Sequence, residues 1–156
     1  MIAYRIADAR HAIYDGTGAM LHGGRWNSVG HRVIYAAETY AGAMLEVLVH
    51  ANLSVPPKHH QVVRITIPDK AEVDTLPAAE LCNWDAEDLT AARSFGDEWL
   101  QKARTAVLRV PSVVTEGREY NVLINPLHRQ AALIEVSVPE PVRWDLRLFP
   151  YAVDRR

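Results

Sequence analysis

The sequence has one cysteine, little net charge and no long apolar run. Cys82 has no second cysteine to pair with, so intramolecular disulfides and multi-cysteine zinc sites are excluded, and we expect a buried structural thiol. No apolar run approaches the roughly 20 residues that span a bilayer. The net charge is −2 and the longest basic run is Arg155–Arg156. Neither a membrane surface nor direct nucleic-acid binding is therefore expected.

The motifs of several common enzyme classes are also missing. There is no phosphate-binding Gly-x-x-x-x-Gly-Lys motif, and Gly16, Gly18 and Gly23 do not fit a dinucleotide-binding turn that opens a helix. The seven histidines never form His-Glu-x-x-His. His59 and His60 are adjacent and would point in different directions in an extended chain, so no metal site is expected.

The composition fits one globular domain over residues 1–156. Hydrophobic residues make up 49% and charged residues 23% of the chain, which is ordinary for a folded domain of this length. Residues 1–5 lack the basic region and apolar core of a signal peptide. We therefore expect a cytoplasmic protein.

Hydrophobic periodicity predicts more strands than helices. Alternating or short apolar runs predict strands over residues 2–6, 33–36, 61–67, 107–110, 122–124, 132–138 and 142–148. Helical spacing and turn residues predict the remaining segments: a helix from residue 41 to about Asn52 with Thr39 as its N-cap, a helix from Phe95 to Ala103, a glycine-rich loop over 16–30, and irregular or short helical structure over 76–92. Because most strands follow one another without a crossover helix, we predict an α+β domain with a compact, mixed, largely antiparallel sheet.

Glu46 is the one charged side chain in the apolar run from Ala41 to Val49. On a helix it lies roughly opposite the centre of the apolar stripe, with the small residues Gly42 and Ala43 one turn away. A buried carboxylate must be paired or neutralised, because desolvation costs several kcal/mol. Arg25, next to paired glycines, is the protein partner to consider, and a ligand hydroxyl or cation is the functional one. These residues alone leave a structural ion pair and a ligand-binding carboxylate equally open.

Ser112 and Asn125 each have an ordinary explanation when taken alone. Ser112 follows Pro111 at a predicted strand end but lacks the Gly-x-Ser-x-Gly elbow of a nucleophile. Asn125 before Pro126 is a common turn residue. Neither residue by itself predicts catalysis.

The ordered combination of motifs is more specific than any one of them. The chain carries, in order, Gly23-Gly24-Arg25-Trp26-Asn27, Gly30, Val33-Ile34-Tyr35, Leu45-Glu46, Val110-Pro111-Ser112 and Asn125-Pro126-x-His128. With this spacing, from about Tyr4 to Leu148, the sequence resembles the RES-domain family, the toxins of bacterial type II RES–Xre toxin–antitoxin systems, named for an Arg, a Glu and a Ser.

The resemblance implies a fold, a substrate and a partner. It implies a compact fold similar to the ADP-ribosyltransferases, NAD as substrate with no separate cofactor, and an Xre-type helix-turn-helix antitoxin that occludes the active site. Matched by motif, the site residues are Arg25, Tyr35, Glu46 and Ser112. Further candidates for substrate binding lie near the motifs: Arg5, His50 and Asn125.

The residue chemistry suits cleavage of the nicotinamide–ribose bond of NAD. The leaving group is an already cationic pyridinium that departs as a neutral base, so no general acid is needed, unlike the carboxylate pair of glycoside hydrolysis. One carboxylate such as Glu46 would stabilise an oxocarbenium-like cation, and Arg25 would contact a phosphate. Tyr35 would stack on the nicotinamide, and Ser112 would hydrogen-bond the nicotinamide or its ribose.

The acceptor of the ADP-ribosyl group stays open from the sequence. Water would make the enzyme an NAD glycohydrolase, inorganic phosphate a phosphorylase, and a protein side chain a mono-ADP-ribosyltransferase. We rank hydrolysis or phosphorolysis, with growth arrest, ahead of protein modification. A non-catalytic module that holds a nucleotide or a protein through Arg25 is a further alternative.

Overall fold

The computed structural model describes residues 1–51 and 55–149, which form an α+β domain around an eight-stranded sheet. The helices are α1 (Thr17–His22), α2 (Tyr40–Ala51) and α3 (Thr90–Lys102). The strands are β1 (Ile2–Asp8), β2 (Ile34–Ala37), β3 (His60–Thr66), β4 (Val73–Thr75), β5 (Val107–Pro111), β6 (Tyr120–Ile124), β7 (Glu135–Val136) and β8 (Glu140–Pro141). Short 3-10 helices occupy Ala78–Glu80, Arg129–Leu133 and Leu146–Leu148.

The strand order is β4-β5-β6-β2-β1-β3-β7, and β8 also pairs with β3. β4 and β5 run parallel, whereas the other paired strands run antiparallel. The predicted α+β class with a mixed, largely antiparallel sheet is therefore confirmed.

The central strands are buried on both faces. On β6, Val122 and Ile124 belong to one cluster of buried residues, and Leu123 between them belongs to another. Side chains alternate across a strand, so a single strand contributes to the core on each side of the sheet. All three side chains are fully buried, which gives the site a rigid support.

α2 packs on β1 and β2 and begins where the sequence predicts. Thr39 Oγ1 accepts a hydrogen bond of 2.9 Å from the backbone N–H of Gly42, as an N-cap residue does. Ala43 is buried against Ile6 and Ala37, so one face of the helix is held to the sheet. The predicted end of the helix near Asn52 lies outside the described residues.

Two segments are more helical than predicted. α1 lies within the glycine-rich stretch 16–30, and the Asp15 carboxylate accepts hydrogen bonds from the backbone N–H and the hydroxyl of Thr17 at its start. α3 begins at Thr90 rather than Phe95, and Asp88 accepts a hydrogen bond from the Thr90 N–H. In both cases a carboxylate satisfies a backbone donor of the first turn that the helix itself leaves unpaired.

Of the two C-terminal strands predicted from the sequence, the first is much shorter in the structure and the second is absent from the predicted residues. Residues 132–138 hold the end of a 3-10 helix and the two-residue β7, and 142–148 contain no strand. β8 ends at Pro141, and beyond it, among the described residues, only the Val142 N–H still donates to β3, to the His60 carbonyl at 3.1 Å. Asp145 then accepts a hydrogen bond from the Arg147 N–H and caps a 3-10 helix in place of the predicted strand.

Cys82 is exposed, which corrects the expectation of a buried thiol. It lies in a turn over residues 82–85, in which Trp84 is the residue packed into the core. A tight turn cannot bury all of its side chains, and the larger apolar surface of Trp84 gains more free energy from burial.

Within residues 1–51 and 55–149, none of the helices combines the length and the apolar character required to cross a membrane.

Candidate active site

One cavity of about 660 Å³ gathers most of the candidate residues. Its walls come from the glycine-rich segment, β1, β2 and α2, and from residues at the ends of β5 and β6. Five of the seven residues selected from the sequence line it: Arg5, Arg25, Tyr35, Glu46 and His50. The volume lies in the range of cavities that hold small-molecule ligands, about 300–1,000 Å³.

Glu46 is held in the cavity wall by two uncharged donors. Ser112 Oγ donates to Glu46 Oε1 at 3.2 Å, and Asn121 Nδ2 donates to the same oxygen at 2.7 Å. The Glu46 side chain is 25% exposed, so the carboxylate is partly solvated rather than fully buried. Within the described residues it has no arginine or lysine partner, and α2 therefore presents an anionic group to the cavity.

His50 lies one turn after Glu46 on α2. Its Nε2 is 3.4 Å from Glu46 Oε2, and its side chain is 79% exposed. His50 therefore stands at the rim of the cavity. Glu46 has one oxygen tied to the sheet and the other directed toward this rim.

Arg25 lines the same cavity but does not pair with Glu46. Its Nη1 donates to the carbonyl oxygens of Trp84 at 3.2 Å and of Ala86 at 2.9 Å. These carbonyls hold the guanidinium to the segment before α3. Between the described residues, Nε and Nη2 of Arg25 make no hydrogen bond, and these donors stay available for a ligand. The structural ion pair that the sequence left open is thus not formed.

The paired glycines let the chain pass close beside Tyr35. Gly23 has a φ of 71°, in the left-handed region that favours glycine, and a Cβ at Gly24 would lie 2.6 Å from Tyr35 Oη. That hydroxyl accepts a hydrogen bond from the Trp26 N–H at 3.1 Å and donates one to Asn27 Oδ1 at 2.7 Å. Burial raises the pKa of Tyr35 well above its ordinary value. The hydroxyl therefore stays protonated and anchors the loop.

α3 holds the glycine-rich segment from another side. Asp97 accepts hydrogen bonds from the backbone N–H of Ser28 at 2.9 Å, from its hydroxyl at 2.5 Å, and from His31 Nδ1 at 2.8 Å. Partial burial by itself would raise the pKa of Asp97, but these hydrogen bonds outweigh it and hold the pKa below its ordinary value. Arg93 Nε donates to the Gly24 carbonyl at 3.0 Å. The segment that carries Arg25 is therefore fixed by side chains of a regular helix.

Arg5 is built into the cavity wall from β1. Its Nε donates to the Ile13 carbonyl at 2.5 Å, Nη1 to the Tyr35 carbonyl at 2.6 Å and Nη2 to the Asp15 carbonyl at 3.4 Å. Burial lowers the pKa of Arg5, and the charge of Asp15 partly offsets this. Arginine remains protonated in proteins, so Arg5 adds a second positive charge to the site.

Ser112 and Asn125 do not line the cavity. Ser112 is buried at the end of β5 and reaches the site through its hydrogen bond to Glu46. Asn125 is buried beyond the end of β6, where its Oδ1 accepts a hydrogen bond of 3.0 Å from the Leu127 N–H. Four residues along a strand span about 13 Å, so Asn125 lies well away from Asn121 at the start of the same strand.

Asn121 is a site residue that the sequence motifs do not identify. It lines the cavity and donates the shorter of the two hydrogen bonds to Glu46. It pairs in register with Ala37 on β2 and Val110 on β5. An amide side chain directly before three buried apolar residues of a strand is the signal that could have found it, because such a group requires a hydrogen-bond partner.

Over the two described ranges, no group of three or more His, Cys, Asp or Glu side chains is arranged to hold a metal ion.

Residues 2–145 of the chain match the RES domain. The chain belongs to the RES-domain family.

Curated proteins are similar to this RES domain over nearly its whole length. Prs ADP-ribosylating toxin of Sphingobium sp. (strain YBL2) is 42% identical over 154 residues, which cover 93% of this chain and 94% of that protein. Toxin Res of Pseudomonas putida (strain KT2440) is 38% identical over 152 residues, which cover 96% of this chain and 100% of that protein.

A solved structure shares the fold of this RES domain. A chain in the crystal structure of the M. tuberculosis MbcT–MbcA toxin–antitoxin complex matches it with a TM-score of 0.74. The match covers 97% of this chain and 89% of that chain at 18% sequence identity. The family suggested by the ordered motifs is therefore confirmed, and the fold is one seen in a toxin–antitoxin complex.

Proposed function

We propose that this RES domain is the toxin of a toxin–antitoxin system and that it cleaves the nicotinamide–ribose bond of NAD. The observation that carries the proposal is the setting of Glu46. Its carboxylate lies in the wall of a ligand-sized cavity, and Ser112 and Asn121 hold it through Oε1. Among the described residues, it forms no ion pair with an arginine or a lysine.

The reaction needs one anionic group beside the ribose. When the C1′–N bond breaks, its electron pair moves onto the nicotinamide nitrogen, and the positive charge moves from the pyridinium to the ribose. The nicotinamide leaves as a neutral base and needs no acid. A fixed carboxylate stabilises the new cation where it develops, and Glu46 would supply that charge from α2.

The two arginines of the cavity suit the phosphates of a dinucleotide. Arg25 has Nε and Nη2 unengaged by the described residues, and a guanidinium binds a phosphate through two parallel N–H donors. Arg5 adds charge from β1, although all three of its nitrogens already donate to backbone carbonyls. The Tyr35 hydroxyl is occupied by the loop, which leaves its ring as the part that would contact the nicotinamide.

Water or inorganic phosphate is the first candidate acceptor. His50 is largely exposed at the rim beside Glu46, so a small nucleophile would reach the ribose from solvent. A protein side chain is the second candidate, favoured by the name of the 42% identical relative, an ADP-ribosylating toxin. Both candidates share the same bond cleavage at Glu46.

We also propose that an Xre-type helix-turn-helix antitoxin occludes this cavity. The fold is shared with a chain from a toxin–antitoxin complex. Leu45 and Val49 on α2 are 42% and 59% exposed, and Val49 lines the cavity, so an apolar surface adjoins the site. Arg25 would receive an acidic segment of the partner in the place of a phosphate. A toxin that consumes NAD would act in the cytoplasm.

The direct test is incubation of the purified protein with NAD, with and without inorganic phosphate, and separation of the products. Release of nicotinamide with ADP-ribose, or with its 1″-phosphate, supports hydrolysis or phosphorolysis. Nicotinamide release that requires a cell extract and labels a protein supports transfer. Binding of NAD without release of nicotinamide under all of these conditions contradicts the proposal and indicates a non-catalytic module.

The cellular test is expression of the chain alone and together with a helix-turn-helix protein encoded beside it. We expect expression of the chain alone to lower cellular NAD and stop growth, and the co-expressed partner to co-elute with it and restore both. Glu46→Gln is the matched control, since it retains the shape of the side chain. A bound partner that leaves NAD cleavage unchanged would contradict occlusion.

A further inference from the structure

Asn121 is a polar residue near the start of the central strand β6, and packing does not explain it. The next three residues of β6 are apolar and fully buried. Asn121 instead lines the cavity and donates from Nδ2 to Glu46 Oε1 at 2.7 Å. An ionised carboxylate only accepts hydrogen bonds, so the amide nitrogen must face Glu46 and the amide oxygen must face away. The side chain is thus oriented with its donor toward Glu46.

The two carboxylate oxygens of Glu46 have different neighbours. Oε1 receives both uncharged donors, Ser112 Oγ and Asn121 Nδ2. Oε2 has His50 Nε2 as its neighbour, at 3.4 Å and on an exposed side chain. Two hydrogen bonds to one oxygen fix the plane and direction of the carboxylate, and they leave the second oxygen on the side from which a ligand would approach.

We propose that Asn121 is a positioning residue, which fixes Glu46 so that Oε2 is the oxygen that meets the positive charge developing on the ribose. This inference rests on the proposed cleavage of NAD. An arginine at position 121 would also hold the carboxylate, but its positive charge would offset the negative charge of Glu46 that stabilises the ribose cation in the transition state. An uncharged amide orients the carboxylate and preserves that negative charge.

The kinetic test compares Asn121→Ala with the wild-type protein. We expect kcat for nicotinamide release to fall about 10²-fold, the scale of a misplaced catalytic group, and KM for NAD to change little, because both arginines stay in place. Asn121→Asp is a second variant of the same shape that loses the donor and should also lose activity. Gln130→Ala is the matched control: it removes another side-chain amide, one that accepts from the Glu72 N–H outside the cavity, and kcat should be unchanged.

A double-mutant cycle separates positioning from other roles. If Asn121 acts through the charge of Glu46, adding Asn121→Ala to Glu46→Gln should cause no further loss of kcat. A purely structural role would lower activity by the same factor in both backgrounds, in proportion to the folded fraction. Equal additional losses in both backgrounds, or full activity of Asn121→Ala, would overturn the proposal.

Crystal structures of the variants test the positioning of Glu46 by Asn121 separately from the proposed reaction. If the wild-type protein releases no nicotinamide, the cleavage proposal is wrong, and crystal structures of the wild type and of Asn121→Ala or Asn121→Asp then decide the positioning claim. A Glu46 carboxylate that turns away in the variants supports it. An unchanged Glu46 conformation contradicts it.

Discussion

Ser112 Oγ lies 3.2 Å from Glu46 Oε1 and joins the end of β5 to the middle of α2 across 66 positions of sequence. Ser112 is 4% exposed, so it contributes to the site through Glu46 and not through its own access to the cavity. Arg25 lies elsewhere on the cavity wall and is held by backbone carbonyls. Of the Arg, Glu and Ser in the motifs, two are therefore in direct contact, and the third faces the same space independently.

Glu46→Gln should separate catalysis from stability. We expect nicotinamide release to fall about 10²-fold or more, because one preorganised charge is removed. The free energy of unfolding should change by less than about 1 kcal/mol, since glutamine still accepts from Ser112 and Asn121 and no arginine loses a partner. Activity assays and thermal denaturation check both. A strongly destabilised variant that keeps its activity per folded molecule would refute the catalytic role.

Arg25→Lys should weaken NAD binding more than it slows the reaction. A lysine ammonium can replace one contact to the carbonyls of Trp84 and Ala86, but it cannot offer two parallel N–H donors to a phosphate. We expect KM for NAD to rise about 10-fold, or roughly 1.4 kcal/mol, with a smaller change in kcat. Arg118→Lys, on the exposed surface, is the matched control. An unchanged KM with lower stability would show that Arg25 only anchors the loop.

Asn125→Ala should lower stability without lowering activity. The buried Asn125 side chain accepts a hydrogen bond from the N–H of the exposed Leu127 in the turn beyond β6, and loss of such a bond costs about 1 kcal/mol. Urea denaturation should report that loss, while kcat and KM per folded molecule stay at the wild-type values. A specific loss of NAD cleavage would instead return Asn125 to the substrate-binding set that the sequence suggests.

Asp97→Asn should give a pH-dependent loss of stability. The pKa of Asp97 is lowered in the folded state, so its contribution is fully present above the unfolded value of about 3.9 and is lost as pH falls through the folded value. At pH 7 we expect a destabilisation of about 2 kcal/mol, the scale of hydrogen bonds to a charged group. Denaturation at pH 7 and near pH 3 should show the gap between wild type and variant closing in acid.

The control for that experiment is Glu98→Gln, the next residue on α3, whose exposed carboxylate pairs with Lys102. An exposed pair of this kind contributes little, so the variant should resemble the wild type at both pH values. If the Asp97→Asn gap persists unchanged near pH 3, the effect does not come from the charged carboxylate that holds Ser28 and His31.

The local sequence pattern was sufficient to predict an element when the residues that stabilise it lie within the same segment. The period of the apolar residues predicts α2, and Thr39 caps it through Gly42 within the same turn. The same reasoning failed at residues 142–148, where alternation suggested a strand but β8 stops at Pro141 and Asp145 caps a 3-10 helix. It also missed α1, because glycines favour loops on average and the hydrogen bonds from Thr17 to the Asp15 carboxylate depend on a specific side-chain geometry.

The order and spacing of the motifs were enough to place the chain in the RES-domain family, and periodicity was enough for the α+β class and for the helix that carries Glu46. The partners of the site residues required the folded chain. Arg25 meets the carbonyls of Trp84 and Ala86 rather than Glu46, and Glu46 meets Asn121, 75 positions away, through the register of β6 beside β2. A hydrogen bond exists only when donor and acceptor come within about 3 Å at a suitable angle. That distance is set by strand register and helix packing across the whole domain, which no local run of residues contains.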